Sequence, residues 1–138
     1  MPPLKTYRIF ISHAWIYNDS YYSLIDMLNK ASNFSWINYS VPEHDPLIIK
    51  SKTKKELYDK LTNQIQPTHT VIILAGMYAN YREWIEKEVE IAINFNKPMI
   101  GIIPRGNEKT PVYVQNAVKT MVNWNTNSIV EAIREYSI

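Results

Sequence analysis

Short apolar runs and amphipathic runs alternate along this chain. Thr6–Ser12 (TYRIFIS) reads as a strand. Asp19–Ala31 sets Tyr21, Leu24, Ile25 and Leu28 at the i, i+3, i+4, i+7 spacing of one helical face, with Asn18 or Asp19 as its cap. Phe34–Tyr39 is a short aromatic strand, and Ser40–Ser51 is a loop holding Pro42 and Pro46. Thr53 and Glu56 then form a Thr-x-x-Glu capping box. The helix they open buries Leu57, Tyr58, Leu61 and Ile65 and stops at Pro67. His69–Ala75 (HTVIILA) is a nearly unbroken apolar strand, the pattern of a strand covered on both faces of a parallel sheet. Asn80–Asn96 is the longest helical pattern. Pro98–Ile103 (PMIGII) is a second buried strand, closed by Pro104, and Arg105–Gln115 reads as loop. Thr120–Trp124 is the last strand, and Asn125–Tyr136 a closing helix with Ile129, Val130 and Ile133 inward.

Strand–helix alternation of this kind predicts an α/β fold: a five-stranded parallel sheet with helices on both faces, in the flavodoxin-like order 2-1-3-4-5. The 138 residues suit one domain, 1–138. In such sheets ligands bind beyond the carboxyl ends of the strands, where the strand order reverses. The loops of interest are therefore Ser12–Asn18, Ser40–Ser51 and Gly76–Asn80.

Composition narrows the chemistry. With 46% hydrophobic and 20% charged residues the chain is globular. No apolar run approaches the roughly 18–20 residues of a membrane span. The absence of cysteine removes disulfides, thiolate metal sites and a thiol nucleophile. The start, MPPLKTYRIF, carries no secretory signal, so a cytoplasmic protein is expected. A net charge of +2 is too small to argue for nucleic acid, and the run Lys50, Lys52, Lys54, Lys55 reads as the solvated start of a helix. Only Gly76, Gly101 and Gly106 occur, so neither a dinucleotide-binding fingerprint nor a phosphate-binding loop can be written. No G-x-S-x-G elbow exists. His13, His44 and His69 lack metal-ligand spacing, and no metal site is expected; His69, at a strand start, reads as structural. A phosphoacceptor receiver needs clustered acids at the ends of the first and third strands, which here read Ile11-Ser12-His13 and Leu74-Ala75-Gly76.

One carboxylate breaks the pattern. Stepping Arg82–Asn96 at the helical increment puts Trp84, Ile85, Val89, Ile91, Ala92 and Phe95 on one arc and Glu83, Glu86, Lys87, Glu90 and Asn94 on the other. Glu88 falls inside the apolar arc, one turn after Trp84. Burying a carboxylate costs several kcal/mol unless it is paired. Glu88 is thus either a paired structural acid or a carboxylate in an aromatic-walled cleft whose ionisation is tunable. Glu86 and Glu90 read as solvated.

The segments TYRIFISHAW, FSWINYSVPEHDP, YREWIEKEVEIA, KPMIGIIPRG and VNWNTNSIVEAIREY, in that order, resemble TIR-like domains, in particular the bacterial branch of Thoeris anti-phage systems. The resemblance runs from about Tyr7 to Tyr136. It implies a catalytic glutamate four residues after a tryptophan on the helix following the third strand, the spacing of Trp84 and Glu88. It also implies cleavage of the nicotinamide–ribose bond of NAD⁺, with NAD⁺ as substrate and no cofactor. The product would be a cyclic ADP-ribose-type signal that reaches a partner effector protein, released on a phage trigger. Asn38, Tyr39 and the Ser40–Pro46 loop fall where TIR domains carry their BB loop, which helps close the site and mediates self-assembly.

Secondary positions keep two readings each. Ser12 and His13 end the first strand at the switch point, as ligand contacts or as a turn hydroxyl and a surface residue. Met77 and Tyr78 follow the third strand, as site residues or loop packing. Trp15, Tyr78 and Trp84 are the aromatics available to stack a base. The competing function is a non-enzymatic TIR-like interaction or nucleotide-binding module. Neither reading involves nucleic acid or a membrane.

Overall fold

The computed structural model describes residues 6–11, 19–39, 54–74, 82–103 and 112–137. Its elements run β1 (Thr6–Ile11), α1 (Asp19–Lys30), β2 (Ser35–Asn38), α2 (Lys54–Ile65), β3 (Thr70–Leu74), α3 (Arg82–Asn94), β4 (Met99–Ile102), α4 (Val112–Ala117), β5 (Thr120–Val122) and α5 (Thr126–Tyr136). The strands form one five-stranded sheet in the order β2-β1-β3-β4-β5, and every pairing is parallel. This is the expected flavodoxin-like α/β topology.

The sequence explains the arrangement. β3 and β4 carry Val71, Ile72, Ile73, Ile100 and Ile102, all without exposed surface, because helices cover both faces of these central strands. The chain steps one way from β1 to β2 and the other way from β2 through β5. Right-handed crossovers then place α1 on one face and α2 and α3 on the other. The packing agrees: α1 lies against α5, and α2 against α3. Ile9, Phe10 and Ile11 of β1 complete the centre of the core with Leu24, Leu61 and Ile133.

Register aligns the carboxyl ends. Ile11 is level with Ile72, and Leu74 with Ile102. At the opposite edge His69 ties β3 to β1. Its backbone N–H donates to the Arg8 carbonyl (2.7 Å), and its Nδ1 accepts from the Arg8 N–H (2.9 Å). That pair of bonds accounts for His69 as a structural residue.

Two asparagines stop helices. Asn96 has φ 56°, its N–H donates to Ile93 and that of Lys97 to Ala92, which is a Schellman end to α3. Asn33 has the same φ after α1, and its carbonyl accepts from Arg134 Nη2 (2.8 Å). Asn125 caps α5 by accepting from the Ser128 N–H (3.1 Å).

One segment departs from expectation. Residues 112–117, within or beside the predicted loop Arg105–Gln115, form α4. Six residues are too few for a period to register. Among the described residues, no helix is long and apolar enough to cross a membrane.

Candidate active site

α3 follows β3, the central strand beside the switch point, so it descends from the edge where the strands' carboxyl ends meet. Its inward arc is Val89, Ile91 and Ala92, all buried, with Phe95 half-buried below them. Glu88 shares that arc and has 0% exposure, the only acidic side chain among the described residues to be buried. Glu90 and Asn94 point to solvent, as the periodicity requires.

Glu86 and Lys87 do not behave as expected of a solvated face. Both are half-buried, and α2 lies alongside α3 on the Lys87 flank. The two helices are tied at their flank by Asn94 Nδ2, which donates to the Tyr58 hydroxyl (2.9 Å).

A carboxylate enclosed at this depth is stable only with a compensating interaction, and Glu88 has one. Chemically, an enclosed carboxylate in apolar surroundings can accept from hydroxyls and can oppose a positive charge with little screening by water. It is suited to stabilising a cation that develops within reach.

The other expected site residues fall into two groups. Trp84 stands on α3 one turn before Glu88, as its spacing requires, and its side chain lies outside the described set. Asn38 ends β2, exposed and engaged in an interaction of its own, and Tyr39 follows it half-buried, with its N–H donating to the Ile9 carbonyl (2.8 Å). Ser12, His13, Trp15, Met77, Tyr78 and the Ser40–Pro46 loop lie outside the described residues. No group of three or more His, Cys, Asp or Glu among the described residues is arranged to hold a metal ion.

Sequence reasoning passed over the cations at the far edge of the sheet. Lys97 and Lys119 stand just before β4 and β5, and Arg8, across β3, is near enough for its charge to act on Lys97. Their shared place at a helix-to-strand junction was the available signal.

A search of curated proteins finds no match to this chain. A family model described as "Thoeris protein ThsB, TIR-like domain" matches residues 10–109, which spans β1 from Phe10, all of β2, β3 and β4, and the helix that carries Glu88. With that match over most of its length, on a sheet of the expected order, the chain belongs to the Thoeris ThsB TIR-like domain family.

Proposed function

We propose that this TIR-like domain is an NAD⁺-cleaving enzyme of a Thoeris-type anti-phage system, with Glu88 as its catalytic residue. The carrying observation is the complete burial of Glu88 on the apolar arc of α3, one turn after Trp84. A structural helix has no need of a carboxylate there, and apolar residues of similar volume would pack at lower cost.

The chemistry asks little of the protein beyond one anion. The bond between C1′ of the ribose and the nicotinamide nitrogen breaks, and its electron pair leaves with nicotinamide. The pyridinium is thereby neutralised and needs no general acid. Positive charge passes to the ribose as an oxocarbenium-like state, which a carboxylate holding the ribose hydroxyls stabilises. Capture by a nucleophile of the same molecule gives a cyclic ADP-ribose-type product, and capture by water gives ADP-ribose and a released proton. Exclusion of water favours the first. Nicotinamide and the cyclic nucleotide are then the products, and the nucleotide is a diffusible signal for an effector protein.

Since Glu88 has no exposed surface, substrate access requires displacement of what covers it. That is the behaviour of an enzyme silent until a phage trigger arrives, with the Ser40–Pro46 loop as the segment that closes the site or joins copies of the domain. The second reading is a non-enzymatic TIR-like module, favoured by the partner that Glu88 already has inside the fold.

Mass spectrometry of nucleotides from cells expressing wild type or Glu88→Gln, with and without phage, separates the two. The expected result is a cyclic ADP-ribose species only with Glu88 intact and phage present. Unchanged NAD⁺ and no new product across a broad phage panel would favour the module. Titration calorimetry with NAD⁺ and ADP-ribose would then distinguish a nucleotide binder from a scaffold.

A further inference from the structure

At the edge of the sheet opposite the strands' carboxyl ends, a cavity of about 390 Å³ lies beneath β4 and β5. Buried Pro98 and Met99 form its floor and Ile93, 58% exposed, one apolar wall. Lys97 and Lys119 stand at its rim with Tyr136, and none of its described lining residues is acidic. Among the described residues, neither lysine forms an ion pair, and neither does Arg8, whose charge acts on Lys97. The Arg8 Nε is buried without an acceptor. Its Nη2 is 3.2 Å from His69 Nε2, but Nδ1 of that ring already accepts the Arg8 backbone N–H. In the neutral ring Nε2 therefore carries the proton and offers the guanidinium no lone pair. Two lysines thus share the rim, with the Arg8 guanidinium across β3 on the same edge, and no carboxylate is found among the described lining residues.

From this geometry we propose that the cleft beneath β4 and β5 is a binding site for a small organic anion, a carboxylate or phosphate ester on an apolar body. Lys97 and Lys119 take the charged head, and Pro98, Met99 and Ile93 take the body. The simpler account, that each lysine balances the C-terminal end of the helix before it, meets an obstacle at Lys97. A residue placed to balance a helix end has its charged form favoured. Burial, and next the Arg8 guanidinium, instead hold the Lys97 ammonium below the ordinary lysine range. A bound anion removes that penalty, and it does so away from the Glu88 helix face.

Amide chemical shifts of the full chain, titrated with benzoate, phenyl phosphate and inorganic phosphate at constant ionic strength, test this. Saturable shifts at Met99, Ala117 and Lys119 are expected with benzoate or phenyl phosphate, at a Kd of about 1 mM or tighter. The tighter of the two identifies the head group. Lys97→Gln and the exposed Lys119→Gln should each weaken binding by about tenfold or more, the effect of losing one charge-assisted contact. No saturation with either aromatic anion, equal binding of inorganic phosphate, or unchanged affinity in both variants would overturn the proposal.

Discussion

At the scale of single residues the informative position is Glu88, because its chemistry and its location disagree. Glutamine has nearly the same shape and keeps one carbonyl acceptor. Glu88→Gln should therefore shift stability by no more than about 2 kcal/mol in urea denaturation, the range for one altered buried hydrogen bond. The same change should lower NAD⁺-derived product by about 10²-fold or more, since an amide cannot oppose developing positive charge. A variant that unfolds at far lower urea, with its product loss explained by loss of folded protein, would make Glu88 a structural acid. Glu88 was legible in the sequence because a carboxylate on an apolar arc violates the rule that every neighbouring position obeys. The half-burial of Glu86 was not, since a helical wheel describes one helix and not what the fold packs against it.

At the scale of elements, strand and helix centres were legible and their ends were not. Apolar runs do not mark where a strand begins or ends: the reading His69–Ala75 centres on the strand Thr70–Leu74, and Ala75 lies outside the described residues. α4 escaped because six residues, two of them valine, carry no period. Caps were easier, since they depend on one side chain. Asn125→Ala removes the acceptor for the Ser128 N–H and should cost about 1 kcal/mol, read as a lowered denaturation midpoint. The contact between β4 and β5 makes a sharper prediction. A Cβ on Gly101 would clash with the Met121 Sδ and lie 3.4 Å from Val118 Cγ1. The thioether is flexible and half-buried, so it can move at some cost. Gly101→Ala should destabilise by about 1–3 kcal/mol. Met121→Ala clears the space, so the double variant should be more stable than the sum of the two single losses, a coupling of about 1 kcal/mol or more. Strict additivity would mean that the Met121 side chain does not limit the approach of these strands.

At the scale of the whole molecule, topology was the most legible property of all. Uninterrupted β-branched strands separated by amphipathic helices admit few arrangements, and for five strands in a chain of this size the flavodoxin-like order is the common one, as observed. What spacing does not encode is which distant charges the fold brings to one edge. Arg8, on β1, comes within electrostatic reach of Lys97, 89 positions later at the head of β4, with a consequence for stability. The Lys97 pKa is lowered in the folded state by burial and then by Arg8. Between that lowered value and the ordinary lysine value the unfolded chain binds more protons, so stability rises with pH across the window. Below the window the charged Lys97 exerts its full penalty, and above it the penalty is gone. Lys97→Met keeps the apolar stem and deletes the charge. It should therefore be more stable than wild type at pH 7, and this advantage should shrink once the pH enters that window on the way to 10.5. Urea denaturation of the two in parallel cancels the titration of every other group. A variant less stable than wild type at pH 7, or an advantage that grows with pH, would mean that the Lys97 charge supports the fold. In that case the cations at this edge would be balanced already, with no deficit for an anion to fill.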